Sequence, residues 1–544
     1  MSTFAQKEGK RFSCPRCGGG LQYDIPSGQM KCLHCDNLTP IDSLPAADAA
    51  DTTMEVTEFR CPQCGAAVYS SDTSITSFCS FCGSDVVLTA KLTRTKRPAR
   101  IVPFTVTRDQ CESRYREHLK KYHLVPRELK ATETISHFRA VYVPFWSYHL
   151  TTQGPIELTA TKSYTRGNTR YDETYKLTTD AVIDQKDVLY DASTAFEDET
   201  AAMLKHTTEQ ARPFHPAYLS GFFAQAADVA PETYYKEAAA TAIRIFIERV
   251  KKDNNYNSVK SEAAKEPYFG LPDPHFEQEL IMLPVWLLAH RQNDRIVYTA
   301  INGCTGEVVC DVPVGVGRVS GVTGAVTVGL FVLLYLLLTI KPDLLMALCA
   351  VLSLITQYRF TAMHEMLYNR KTRAFEPDFS DKTFSFPGPA QQLLNGGAPK
   401  SAKDGKSFAS IVSSVMLVFF VVFGLLGERI FDILGSLADN GIGQMSESLA
   451  LFILLPTTLL MVIHTVKWVS RPERGSIAPR ILSCLACGAG LYLLLSLQAE
   501  DVLFYSCAFV MLLAAIWELL LIIRAHNEYA SRPVPYFDGK EDRL

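Results

Sequence analysis

The sequence predicts a multidomain chain: tandem four-cysteine zinc ribbons, a soluble α+β domain with an internal duplication, and an all-α six-helix transmembrane domain. Three observations lead there. Eight of the 15 cysteines fall in the first 82 residues as four C-x-x-C pairs. A proline–tryptophan motif in the middle of the chain recurs 140 residues later. Residues 319–544 carry the long apolar runs, whereas charge is concentrated before them. A length of 544 residues allows three or four domains. With 54 Lys+Arg against 57 Asp+Glu, the net charge of -3 excludes a strongly basic nucleic-acid binder and an acidic disordered chain.

The ribbons come first, at residues 10–45 and 57–90. Cys14, Cys17, Cys32 and Cys35 form one set, and Cys61, Cys64, Cys79 and Cys82 repeat it position for position at an offset of 47. Two C-x-x-C turns bring four thiolates around one metal ion, with Zn–S near ~2.3 Å. Gly18, Gly65 and Gly83 follow the second cysteine of three knuckles, where a tight turn is needed; Asp36 departs from that pattern. A disulfide framework would require an oxidising compartment, and the polar N-terminus has no apolar segment of a secretory signal. The expectation is two structural Zn2+ sites, with no ligand position left open for catalysis.

Residues 91–100, KLTRTKRPAR, hold five basic residues and no acidic one, and read as a basic linker near phosphates or anionic lipid. Residues 101–317 form the expected cytoplasmic α+β domain. Thr107 caps a helix with Cys111, Tyr115 and Leu119 on one face. Ile156, Leu158 and Ala160 alternate as in a half-buried strand. A second helix spans about 231–252, starting with Pro231, and DRIVYTAINGCTGEV is strand–turn–strand with Asn302-Gly303 in the turn. Tyr142-Val143-Pro144-Phe145-Trp146 recurs as Met282-Leu283-Pro284-Val285-Trp286, which predicts two similar lobes sharing one sheet, with the tryptophans as core anchors. Proline within such strands predicts a sheet edge or a bulge.

The transmembrane domain, 319–524, has apolar spans at about 319–340, 343–358, 408–427, 448–466, 481–498 and 502–523. The second is short and reads as one arm of a hairpin or a re-entrant segment. Phe360, Met363 and Leu367 suit an amphipathic helix at the interface. Basic loops, among them 467–480 with Lys467, Arg471, Arg474 and Arg480, alternate with acidic ones. The positive-inside rule then places both termini, including the tail 525–544, in the cytoplasm. His464 and Glu518 lie near cytoplasmic ends of spans, where they can snorkel or hydrogen-bond locally. Gly405-Lys406-Ser407 lacks the glycine of a phosphate loop, and His364-Glu365 lacks a second histidine at Tyr368.

The tandem ribbons, the YVPFW and LPVW segments, the HPAYLSGFF segment at 215–223 and the NGCTGEV turn together resemble the bacterial TFIIB-type zinc-ribbon membrane proteins. Some members carry the label primosomal protein N-prime or replication factor Y. The group is similar to zinc-ribbon membrane components encoded beside PspA-like and SPFH/flotillin-like proteins. That resemblance implies a non-enzymatic adaptor that recruits soluble partner proteins to the membrane. Two alternatives stand beside it: a transporter or membrane enzyme built on the six helices, and a membrane-tethered nucleic-acid binder. The second is disfavoured because residues 1–90 hold ten acidic residues against six basic ones.

Overall fold

The computed structural model describes residues 12–45, 52–70, 79–84, 89–167, 169–196, 198–261, 274–292, 294–319, 321, 325, 342–373, 442–469, 476–496 and 500–535. The expected spans 319–340 and 408–427 and the Gly405-Lys406-Ser407 motif lie outside these residues, apart from single positions at 319, 321 and 325.

The first ribbon is a small antiparallel sheet of β1 (Leu21–Asp24), β2 (Gln29–Cys32) and β3 (Leu38–Thr39). The second ribbon does not stand apart. Its strands β4 (Thr53–Arg60), β5 (Ala67–Ser70) and β6 (Thr89–Lys96) are the end of the large sheet of the middle domain. The basic run 91–100 is therefore not a linker. Its first part is β6, paired with β4 along its whole length, and its last residue opens β7 (Arg100–Ile101), which pairs with β10 (Arg212–Pro213). Arg100 is held by Asp187 at 2.6 Å and by Glu279, and Lys96 lies 4.6 Å from the Trp146 ring centroid.

The centre of that sheet is the antiparallel pair β8 (Arg139–Arg166) and β13 (His275–Gln292). Val143 faces Leu283 in this pair, so the two copies of the proline–tryptophan motif lie opposite each other in register. The backbone bonds around them match. The short strand β11 (Phe223–Ala224) pairs parallel with β8 at Val141 and Tyr142, and β7 pairs parallel with β13 at Ile281 and Met282. Tyr142 accepts from Gln225 N–H at 2.9 Å, and Met282 accepts from Val102 N–H at 2.9 Å. Each strand then turns to a hairpin partner: β8 to β9 (Thr169–Asp191), β13 to β14 (Arg295–Asn302).

Pro144 and Pro284 sit where the neighbour changes. Neither is at a sheet edge or in a bulge, as proline would suggest. Each leaves its missing N–H at the switch between two partners, while its carbonyl accepts from Ala192 or Gly303 N–H at 2.9 and 2.8 Å. Trp146 and Trp286 are buried, and their indole N–H groups donate to the carbonyls of Val229 and Val106 at 2.9 and 3.0 Å. Each acceptor stands four residues beyond the matched bond of its short strand.

The helices follow the sequence pattern. Thr107 caps α1 (Arg108–Lys120) in a capping box with Gln110, and Cys111, Tyr115 and Leu119 are its buried face. Two short helices, α2 (Thr132–Ile135) and α3 (Asp198–Met203), precede α4 (Tyr235–Asp253). A 3-10 turn over Pro231–Tyr234 leads into α4, which covers the Ile156, Leu158 and Ala160 face of the β8–β9 arm together with β12 (Ser258–Ser261). The NGCTG turn is longer than a two-residue turn. Asn302 N–H bonds Glu307 C=O and Gly306 N–H bonds Asn302 C=O, and the left-handed residue is Gly306, φ 74°, before β15 (Val308–Cys310).

Four helices among the described residues are long and apolar enough to cross a membrane: α5 (Pro342–Arg373), α6 (Ile442–Val469), α7 (Ala478–Ser496) and α8 (Asp501–Tyr529). The described helices thus support a multi-pass membrane protein but not a count of six. The 343–358 segment is not short, because it belongs to α5, which continues to Arg373. Phe360, Met363 and Leu367 do not lie on an interface. They are buried against Trp468, Ala525 and Tyr529 as α5 packs on α6 and α8. The tail returns to the middle domain: β16 (Arg532–Pro533) pairs with β14, and Arg532 bonds Asp311 at 3.0 Å.

Candidate metal centres

The turns of the four knuckles are built alike. In each, the amide of the residue after the second cysteine bonds the carbonyl of the first: Gly18 to Cys14, Asp36 to Cys32, Gly65 to Cys61 and Gly83 to Cys79, at 2.8–3.1 Å. That residue takes a left-handed backbone in all four, with φ 75°, 56°, 77° and 66°. Asp36 adopts it although it is not glycine, and its carboxylate then meets Lys31 at 3.0 Å. The bond pattern of the Asn302 turn is the same, with the Asn302 side-chain oxygen accepting from the amides of Cys304 and Thr305 in place of a sulfur.

The eight expected cysteines come together as two groups that could hold metal ions, Cys14, Cys17, Cys32 and Cys35, and Cys61, Cys64, Cys79 and Cys82. The donor atoms fit a tetrahedral site of four sulfurs. Sulfur pairs stand 3.5 and 3.8 Å apart in the first group and 3.8 Å apart in the second. A Zn–S length of about 2.3 Å implies tetrahedral edges of about 3.8 Å. Amide donors aimed at the sulfurs favour thiolates. Cys32 accepts from His34 N–H at 3.4 Å, and backbone donors from Cys35 and His34 lower its thiol to about 6. In the second group, hydrogen bonds among the thiols push Cys82 down and Cys64 up, so the four sulfurs titrate as one set.

The surroundings of the two groups differ. In the second, all four cysteines are buried in one core with Phe59, Val102 and Val141. Its last knuckle touches the central sheet. A Cβ on Gly83 would lie 2.7 Å from the Ala289 carbonyl oxygen, and Arg291 reaches Ser84 Oγ at 3.0 Å. In the first group Cys17 is exposed and Cys35 half-buried. This ribbon is still fixed by its strand face. Tyr23 N–H and Leu21 C=O bond Ser220, and Tyr23 packs on Tyr218 and Phe222 with centroids 5.4 and 6.1 Å away. The HPAYLSGFF segment is thus the seat of the first ribbon. Gly221, φ 91°, allows the approach, since a Cβ there would overlap Gln22. Leu33, between Cys32 and Cys35, is 73% exposed.

A polar group inside the helix bundle escaped the sequence reading. Arg480, expected in a basic loop, is 0% exposed on α7. It donates to Thr361 Oγ1 at 2.8 Å and Gln357 C=O at 3.1 Å, and lies 4.4 Å from the Trp468 ring centroid. Of the two expectations for Glu518, local hydrogen bonding is the one met: the residue is 0% exposed and accepts from Thr356 Oγ1 at 2.7 Å. Hydropathy ends a span at a charge, so only the facing residues of α5 could have revealed Arg480, whereas Glu518 lies within the expected span 502–523. The intramembrane Cys484 and Cys487 lie beside Thr465 and Thr458 of α6, at 3.4 and 3.0 Å, as packing contacts.

No protein-family model and no solved structure matches the chain. Among curated proteins it is similar to "Uncharacterized protein YdjG" of Bacillus subtilis (strain 168), with 27% identity over 340 residues, covering 60% of this chain and 96% of that protein.

Proposed function

We propose that the protein is a non-enzymatic membrane adaptor whose first zinc ribbon presents a docking face to soluble partner proteins, while the second ribbon, also zinc-loaded, is part of the scaffold that carries it. The observation behind this reading is the exposure of Leu33 and Cys17 on a ribbon that is itself fixed to the middle domain through Tyr23 and Leu21. A large apolar side chain held on a rigid turn suits an interface anchor, because little entropy is lost when it is covered. The β8–β9 arm adds a second exposed surface, with Tyr164 and Tyr171 stacked at 5.5 Å near its tip. The resemblance to zinc-ribbon membrane proteins encoded beside PspA-like and SPFH/flotillin-like proteins suggests coat or scaffold proteins as the partner class. Placement in a bacterial inner membrane, with six spans and both termini in the cytoplasm, belongs to the same proposal. The tail seated on β14 supports it by keeping the C-terminal end beside the middle domain. Nucleic-acid binding is not favoured, since Arg100 and Lys96 of the basic run have intramolecular partners.

The test is a pull-down of full-length protein from native membranes in mild detergent, wild type against Leu33→Ser and a surface control on α4, Lys251→Ala. The expected result is a soluble partner in near-stoichiometric amount, reduced at least about tenfold by Leu33→Ser, the scale of one interface anchor. Equal recovery with Leu33→Ser would remove the ribbon from the interface.

The buried Arg480 and Glu518 favour a second reading, a transporter, because ionisable groups inside a bundle commonly mark ion pathways. Proteoliposomes enclosing a pH-sensitive dye would then develop a proton flux that Glu518→Gln abolishes. Tight vesicles with wild-type protein would count against it.

A further inference from the structure

Where the middle domain meets the end of α8 the protein encloses an open cavity of about 1010 Å³. Its lining divides by chemistry. Four arginines line it, Arg127, Arg295, Arg318 and Arg524, against two acidic residues, Glu128 and Glu528. Arg295 donates to Ser531 Oγ at 2.6 Å and to the carbonyls of Glu528 and Ser531 at 2.7 Å, all neutral acceptors, so its charge is not cancelled. Among the described residues no carboxylate pairs with Arg127, Arg318 or Arg524. The other part of the wall is apolar: Leu520 and Ile523 of α8, and Val316, which is 50% exposed.

The position in the membrane follows from α8 itself. Its 29 residues rise about 43 Å at 1.5 Å each, more than the ~30 Å hydrocarbon core, so one end emerges. The apolar run ends at Ile523, and Arg524 opens the polar end. The cavity therefore straddles the level of the lipid headgroups. We infer that it is a binding site for an anionic phospholipid, with the phosphate among the arginines and acyl chains along Leu520, Ile523 and Val316. A net cationic cavity with one greasy wall matches a lipid that carries one negative charge and two chains. A free phosphate would use only the polar half. The site also has a structural consequence. The seam is held by Asn527, which bonds Val314 N–H and C=O at 2.7 and 2.9 Å, so a lipid seated there ties α8 to the middle domain. The inference rests on the membrane placement of α8 and not on the adaptor reading.

The experiment uses full-length protein, delipidated in detergent, and follows its melting temperature during titration with phosphatidylglycerol, phosphatidylcholine or inorganic phosphate. Phosphatidylglycerol should raise the melting temperature of the wild type. The double variant Arg318→Gln/Arg524→Gln should weaken the apparent affinity about thirtyfold, from the attraction carried by two basic residues near the surface. Arg524→Lys should retain most of it, and Arg170→Gln at the arm tip all of it. Equal protection by phosphatidylcholine, equal protection by inorganic phosphate alone, or an unchanged affinity in the double variant would overturn the assignment.

Discussion

The two ribbons share one cysteine spacing and one turn geometry, yet they are used differently. In the second, all four cysteines are buried, its strands extend the central sheet, and the Gly83 turn lies against β13. In the first, a separate three-stranded sheet leans on the Tyr218–Phe222 segment through one face and leaves Cys17 and Leu33 in solvent. Ligand spacing fixes what a module binds. The face it buries fixes whether it can present anything to a partner.

The comparison can be broken most severely through the buried site. Cys64→Ser places an incomplete ligand set in the core of the middle domain. It should abolish its cooperative melting, because metal ligation in ribbon-sized modules is coupled to folding free energies on the order of 10 kcal/mol. Cys17→Ser should lose one equivalent of metal and keep the main melting transition. Metal content per chain and a thermal melt on each variant check both statements. Next comes Gly83→Ala, whose Cβ would meet the rigid Ala289 carbonyl at 2.7 Å in a left-handed conformation. A loss of about 3 kcal/mol is expected from overlap and backbone strain together.

Gly221→Ala should cost less, about 1–2 kcal/mol, because its Cβ meets the flexible Gln22 side chain. Adding Gln22→Ala should recover part of that loss, and a double-mutant cycle read by hydrogen exchange over residues 12–45 would measure the coupling. The smallest effect on stability belongs to Leu33→Ser, within about 0.5 kcal/mol for a surface position, although it should remove the captured partner. If Leu33→Ser instead lowers the melting temperature by several degrees, the exposed face is part of the fold rather than a docking surface.

What the sequence made legible was local. A C-x-x-C pair binds with its own neighbours in the chain, so the eight cysteines could be grouped before any fold was known. Thr107 with Cys111, Tyr115 and Leu119 is a cap and a stripe within one helix, and the YVPFW and MLPVW echo needs only alignment of the chain with itself. What was hidden depends on distant residues. The basic run 91–100 looked like a linker because charge dominates its composition, whereas β4 makes it a strand and Asp187 and Glu279 hold Arg100. Pro144 and Pro284 looked like edge residues because the change of neighbour at each involves strands of the other half. Arg480 looked like a loop charge because its partners, Gln357 and Thr361, lie on a helix more than a hundred residues earlier. The docking of both ribbons was equally invisible, since the contacts of Gly221 with Gln22 and of Gly83 with Ala289 join residues far apart in the chain.

The contrast between the ribbons can be tested in one experiment: the rate of metal release from full-length protein to a chromogenic chelator in excess. A ligand set with an exposed thiolate is open to direct attack, whereas a buried one waits for local unfolding. The expected result is two equivalents released in two separated phases, with the fast one absent in Cys17→Ser. Release in a single phase, or a fast phase that survives Cys17→Ser, would contradict the account.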